Sequence, residues 1–392
     1  KDVLNAPSGA PIEARMGFRQ DPMYRFLVVL TIASAIGLQG WRTLFNNFAV
    51  EVAGLNGAQV GIIQSVREIP GFLALLAIYV MLVMREHRLS ALSILFLGLG
   101  VGITGALPTF SGVIITTLVM SFGFHYFETT NQSLTLQYFD RDTAPIVFGR
   151  QRSYAAATNI AVGAAIYLLS ITLSYAQMYL VIGALLIIMA LWGFRQKPTR
   201  LDLPPQRKRM VWRRPYLLFY LLTFLAGARR QIFIAFAVFL MVARFGFSVQ
   251  EITLLFIVNN AVNYYVSPLI GKAIVRFGER KVLSLEYASL VMVFLAYAVV
   301  DSKLLVAGLY ILDHIFFNFA IAIRTYFQKV ADPADIAPSM AVGFTINHIA
   351  AVVMPAIGGL LWMVDYRIPF IAGAVFSLVS LLAVQRIPRL AR

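Results

Sequence analysis

Two arginines, Arg42 and Arg230, stand 188 residues apart, each near the middle of a long apolar stretch. A guanidinium stays charged at any physiological pH, and its planar fork matches the oxygens of a carboxylate or phosphate. Two of them facing one space would hold an anion. The alternative is a permanent ion pair for each, Arg42 with Glu68 or Glu128 for instance. Other polar residues recur in the apolar stretches. Ser121, His125, Glu128, Gln132 and Thr135 follow one another at steps of three and four, which places them on one face of a helix. Gln39 and Asn46 share the face of Arg42, Gln64, Arg67 and Glu68 cluster, and so do Asn259, Asn260 and Asn263, and Asp313, His314 and Asn318. Polar groups of this kind either line a site or tie helices together at about 1 kcal/mol per hydrogen bond. His125, Glu128, Asp313 and His314 are candidates for proton coupling, since carboxyl and imidazole groups load and release protons, and His125 and Asp313 repeat the offset of 188.

Several chemistries are not expected. The chain has no cysteine, which removes disulfides, thiolate metal sites and thiol catalysis together. Its four histidines, His87, His125, His314 and His348, are dispersed and none pairs at i, i+4, so no metal site is expected, nor any cofactor. An enzyme needs a nucleophile with a base, or a metal cluster, at an aqueous face, and the sequence offers neither.

The elements that position these residues follow from composition. The 392 residues are 59% hydrophobic and only 13% charged, with a mean hydropathy of +0.77. Soluble chains carry about 25% charged residues, so lipid must cover much of this surface. The apolar runs reach roughly twenty residues, too long for barrel strands, and the fold class is all-helical. Twelve spans are expected near 24–53, 58–84, 89–107, 111–139, 147–171, 175–194, 215–244, 250–275, 282–300, 304–328, 340–364 and 368–386. The net charge of +15 belongs to loops facing the cytoplasm rather than to a nucleic-acid surface. Between the sixth and seventh spans, Arg195 to Arg214 holds eight basic residues against Asp202 alone. This cytoplasmic linker divides residues 1–194 from 215–392, and the even number of spans places both termini in the cytoplasm. Arg85, Arg88, Arg141, Arg150, Arg276, Arg280, Lys281, Arg324 and Lys329 fall on its side, and only Arg244, Lys303 and Arg367 on the other. The first twenty residues are polar and basic, so no cleavable signal peptide is expected.

The two halves repeat each other. Phe45-Asn46-Asn47-Phe48-Ala49-Val50 corresponds to Phe233-Ile234-Ala235-Phe236-Ala237-Val238, and Tyr138-Phe139 to Tyr326-Phe327, at the same offset of 188. The loops that follow share Asp142-Thr143-Ala144-Pro145 and Asp335-Ile336-Ala337-Pro338. The third, sixth and twelfth spans carry no charge in their interiors and the ninth only Glu286, so these four are expected to face lipid, with the others around a central polar cavity.

Twelve helices in two six-helix repeats resemble the major facilitator superfamily of secondary transporters. One local motif agrees: Gly271-Lys272-Ala273-Ile274-Val275-Arg276-Phe277-Gly278-Glu279-Arg280-Lys281 is similar to the family's loop signature, with Val275 where an Asp is usual. The first-half loop, Met84-Arg85-Glu86-His87-Arg88, lacks the glycines and the aspartate. The resemblance implies a cytoplasmic charge network, here assigned to Arg67, Glu68, Arg276 and Arg280. It also implies alternating access by rocking of the two bundles, and some anion carriers of the superfamily place arginines on the first and seventh helices as here. The expected function is secondary transport of a small organic anion, coupled to protons, by a monomer in a cell membrane, a bacterial inner membrane by this reading. Its expected partners are that substrate, protons and the lipid bilayer, and no nucleic acid. A drug or lipophile exporter of the same fold is the alternative, for which Tyr264, Tyr265, Phe316 and Phe317 could line the cavity. The topology has a direct check: single cysteines placed in the linker should react with a membrane-impermeant thiol reagent in inverted vesicles. Reaction from outside intact cells would reverse the orientation.

Overall fold

The computed structural model describes residues 14–388 apart from 56, 201 and 248; residues 1–13, where no signal segment was expected, lie outside this range. Twelve membrane-crossing helical segments follow in order. They are α1 (Pro22–Val52), α2 (57–83), α3 (Glu86–Thr104), α4 (Phe110–Tyr138), α5 (Ala144–Leu169), α6 (Tyr175–Arg195), α7 (217–245), α8 (Val249–Phe277), α9 (Glu279–Val299), α10 (Lys303–Val330), α11 (Ile336–Val364) and α12 (Arg367–Val384). Among the described residues nine helices are long and apolar enough to cross a membrane by composition alone; α5, with Arg150 and Arg152, α7, with Arg229 and Arg230, and α11 lie outside that set.

Local chemistry sets the boundaries. Asp21 caps α1 by accepting from Met23 N at 2.7 Å, with Pro22 in the first turn. Thr109 caps α4, and Ser174 with Gln177 forms a reciprocal cap on α6. Gly278, at φ 80°, lets α8 turn directly into α9. The internal repeat reappears as a related distortion: α1 widens into a π-helical turn at Phe48–Val52 and α7 at Phe233–Ala237, each overlapping its matching hexapeptide.

In the first half α3 packs between α4 and α6, and α1 against α5 and α6. In the second, α9 packs on α12, and α7 on α11 and α12. Pseudo-equivalent ties close each half near its second loop: Gln137 Nε2 donates to Glu86 Oε2 at 2.7 Å, and Lys329 Nζ to Glu279 Oε2 at 2.8 Å. The halves meet chiefly through α5 with α8 and through α11 with α2 and α4. Gly271 permits this approach, because a Cβ there would fall 2.4 Å from the Pro145 carbonyl oxygen. Cross-half hydrogen bonds run from mid-membrane toward the linker. Asn159 donates to Asn260 Oδ1 at 3.0 Å, Ser153 to the Tyr264 carbonyl at 2.7 Å, and Leu75 N to Thr345 Oγ1 at 3.0 Å. Gln328 Nε2 reaches the Leu136 and Phe139 carbonyls at 2.7 and 2.6 Å.

The structure adds two pairings that the sequence does not show. The linker is docked: Arg207 and Arg213 both reach the buried Asp335, Arg207 also bonds Asp332 at 2.8 Å, and Tyr216 donates to Asp335 at 2.7 Å. These carboxylates raise the pKa of Arg207, and the Ala334 N–H with Arg207 lowers that of Asp332. The basic run thus has acidic partners more than a hundred residues away, which its own composition does not show. Second, Glu286 on α9 does not face lipid; it is fully buried against α7.

Candidate functional site

Four α1 residues, Arg42, Thr43, Asn46 and Asn47, are accessible although they lie within a 31-residue helix of the bundle. Gln39, half-buried one turn earlier, donates to Thr43 Oγ1 at 3.1 Å. On α7 Arg230 is accessible too. Arg42 and Arg230 lie within Coulombic reach of each other, together with Arg67 and Glu68 of α2. Thr43 and Asn47 line a groove within the first half, with Ser170 and Tyr175, whereas Arg42 and Arg230, both accessible and within electrostatic reach of each other from different halves, mark an open space between the halves. Since the halves are hydrogen-bonded from mid-membrane to the linker end, that space opens toward the opposite end.

Two further arginines join the pair. Arg152 of α5, accessible, lies within electrostatic reach of Arg230 and Glu128. Arg324 of α10, half-buried, lies within reach of Arg152, Arg230 and Glu128. Five guanidiniums therefore gather around two carboxylates. Arg67 pairs with Glu68 at 2.7 Å; among the described residues Arg42, Arg152, Arg230 and Arg324 form no ion pair. Sequence reading had placed Arg324 with the loop charges and left Arg152 out, although both stand several residues inside a helix. A groove of 720 Å³ lies elsewhere, at the linker end between Tyr138, Arg141, Arg200 and Gln328, and contains none of the five.

The α4 stripe divides. Ser121, His125 and Glu128 lie toward the arginines, and the Ser121 hydroxyl donates to the Arg67 carbonyl. Gln132 and Thr135 are buried, and Gln151 of α5 donates to Thr135 Oγ1 at 3.2 Å, so this part of the stripe joins helices. Asn263 of α8 and Asn318 of α10 behave likewise. Asn318 Nδ2 donates to Asn263 Oδ1 at 2.6 Å and to the His314 carbonyl at 2.8 Å, and Asn259 is buried.

His125 and Asp313, equivalent in sequence, occupy different surroundings. The His125 ring stands 4.9 Å from that of His348 on α11, so the histidines are not all dispersed: the fold joins two that lie 223 residues apart. Asp313 is fully buried, within reach of the Arg229 charge, and neither carboxylate oxygen has a partner. His314, beside it, is half-buried and packs on Phe233 and Tyr310 within reach of Arg230 and Arg152. Of the expected charge network, Arg67 and Glu68 line the cavity. Arg276 is exposed against Phe277, and Arg280 bonds Gln385 Oε1 at 2.9 Å at the end of α12, inside its own half.

The Major Facilitator Superfamily family model matches residues 23–337. The chain belongs to this superfamily. It is a multi-pass membrane protein with the superfamily's twelve-helix fold. Several solved structures share that fold. The Escherichia coli fucose:proton symporter FucP superposes with a TM-score of 0.76 at 14% identity, over 93% of this chain and 98% of its own. A bacterial homologue of the iron transporter ferroportin, in an outward-facing state, gives 0.74 at 13% identity over 93% and 98%. The human organic anion transporter MFSD10 gives 0.66 at 13% identity over 94% and 99%. No curated protein matches the sequence.

The superfamily fold also holds a buried pair behind the cavity that sequence reading missed. Arg229, next to Arg230, is fully buried, lies 3.7 Å from Glu286, bonds Ser380 and covers the Tyr287 ring at 4.4 Å. Removing one partner of such a pair strands the other charge, at about 3 to 5 kcal/mol. Arg229→Met should therefore melt far below wild type or fail to express, and adding Glu286→Leu should restore most of the loss. Arg230→Ala should melt close to wild type. If Arg230→Ala proves the more destabilising of the two, the assignment of the neighbouring arginines is wrong.

Proposed function

We propose that this chain is a secondary transporter of a small organic anion that works by alternating access with a proton as coupling ion. The observation that carries the reading is the set of five guanidiniums around two carboxylates, four of them without an ion pair among the described residues, in an accessible space between the halves. Such a site has an excess of fixed positive charge that a carboxylate or phosphate ester would neutralise. The fold is one that an organic anion transporter and a proton symporter share, which supports the reading. Residues 1–194 and 215–392 would be the rocking units, with the linker and both termini in the cytoplasm. The space at the arginines would then face outward in this conformation. Glu128, half-buried beside Arg152 and Arg324, and Asp313, buried with free oxygens, are the proposed proton carriers.

A ligand that binds the native state raises its melting temperature. A thermal screen of organic acids, phosphate esters and cationic drugs identifies the substrate class. With an anion in hand, Arg42→Ala and Arg230→Ala should each weaken binding by roughly 2 to 4 kcal/mol, about 30- to 1000-fold, and lysine should rescue poorly. Because one ligand would touch both, the double variant should lose less than the two singles together. Wild-type affinity in both alanine variants would discard the anion and leave export of neutral or cationic lipophiles, for which Tyr264 and Tyr265 stand exposed.

Proton coupling separates from binding in liposomes. Glu128→Gln or Asp313→Asn, whichever removes the carrier, should abolish accumulation driven by a pH gradient and keep substrate exchange, which moves no net proton. Normal pH-driven accumulation in both variants would place the coupling elsewhere.

A further inference from the structure

Helices α2, α4 and α11 bring Glu68, His125 and His348 to one point, with a ligand atom from each within 4.8 Å of the others. The rings stand nearly perpendicular, at 83°. Each imidazole commits Nδ1–H to the carbonyl four residues earlier in its own helix, His125 to Ser121 and His348 to Phe344, both at 2.9 Å. Nε2 is then the free nitrogen of each ring. His348 Nε2 lies 3.9 Å from Glu68 Oε2, while Arg67 holds Oε1 of the same carboxylate at 2.7 Å. Gly71 leaves room for the convergence, since a Cβ there would fall 2.5 Å from His348 Nε2 and 2.8 Å from His125 Cδ2.

Three lone-pair donors pointed at one small volume repel unless a cation lies among them. Histidines fixed by Nδ1–H bonds to carbonyls, beside a carboxylate oriented by its own partner, form the outer arrangement that metal ligands have. We propose that Glu68, His125 and His348 form a site for a divalent transition-metal ion of the zinc or cobalt class, bridging the two halves. Two imidazole nitrogens and one oxygen suit such ions, whereas magnesium and calcium require oxygen ligands. The nearby Arg67 and Arg230 charges oppose any cation held by charge alone, so the ion must gain from coordination bonds. A tetrahedral ion with ligands at about 2.1 Å sets them about 3.4 Å apart, so the observed spacing closes by small rotamer changes. Because α2 and α4 belong to one half and α11 to the other, a bound ion fixes the halves where they already touch. The inference needs no substrate and does not depend on the anion reading.

The test uses the purified full chain, affinity tag removed, titrated with Co²⁺; with no cysteine present, thiolates contribute nothing to the spectrum. Wild type should bind one ion with the visible d–d absorption of a four- or five-coordinate site, and Zn²⁺ should displace it and raise the melting temperature. His125→Ala and His348→Gln should each weaken binding more than about tenfold, the least that loss of an outer partner costs. His87→Ala and His314→Ala should bind as wild type. If a ligand variant fails to fold, X-ray absorption of the wild-type cobalt complex decides, with two imidazoles and one carboxylate expected. Absence of d–d absorption in wild type, unchanged binding in both ligand variants, or a different ligand count would each overturn the proposal.

Discussion

A guanidinium inside a membrane must find either a carboxylate or water, and α7 holds both solutions one residue apart. Arg229 turns into the second half and is fully buried against Glu286, Ser380 and Tyr287. Arg230, about 100° further round the helix, turns out to the space between the halves. Much of the arrangement follows from this choice. Helix α9 must bring Glu286 to Arg229 and cannot be a purely lipid-facing wall. The halves must stand apart at one end, because Arg42, Arg152 and Arg230 would otherwise be enclosed with two carboxylates for five cations. Excess charge of one sign keeps the cavity wet and accessible, and the same excess is what the proposed anion would neutralise.

The repeat explains how one chain places two arginines on opposite walls. A π-helical turn follows each arginine, Phe48–Val52 after Arg42 and Phe233–Ala237 after Arg230, each overlapping its matching hexapeptide. A π turn re-aims the residues after it while those before keep their helical faces. Symmetry stops there. His125 and Asp313 are equivalent in sequence, yet one meets a histidine of the other half and the other is buried beside Arg229. A site between two pseudo-symmetric halves can differ on its two walls for this reason: the helices supply equivalent positions, and partners from outside the repeat decide what each does.

What could be read from the sequence was whatever has a period or an offset. Apolar runs placed the spans to within a few residues, and the offset of 188 matched Arg42 with Arg230, which the structure brings into one electrostatic neighbourhood. Partners distant in sequence and carried by different helices were not legible. Glu286 reads as a lone charge until Arg229 is beside it. Arg324 groups with the loop charges and Arg152 shares no offset with the other arginines, although both stand several residues inside a helix. His348 sits in an apolar run with no histidine at ligand spacing, and only the packing of α11 on α2 and α4 joins it to His125. The linker shows the same limit, since its basic residues read as solvent-facing while Asp332 and Asp335 wait at the end of α10.

How the halves are fastened bears on how they can separate. The ion pairs between helices that have a buried carboxylate, Lys329 with Glu279 and Arg229 with Glu286, lie within the second half. Across the halves the bonds are mostly those of amides and hydroxyls, such as Asn159 to Asn260, Ser153 to the Tyr264 carbonyl and Gln328 to Leu136 and Phe139. Neutral bonds are worth about 1 kcal/mol each and exchange for water when the surfaces part. A handful of them is of the size that a ligand's preference for one conformation can offset, whereas broken buried ion pairs would not be. Among the described residues the one contact of opposite charges between the two bundles is Glu68 with His348, and it becomes charged only when the imidazole gains a cation. With the proposed ion in place, that contact would be the one ionic tie opposing separation of the two bundles among the described residues.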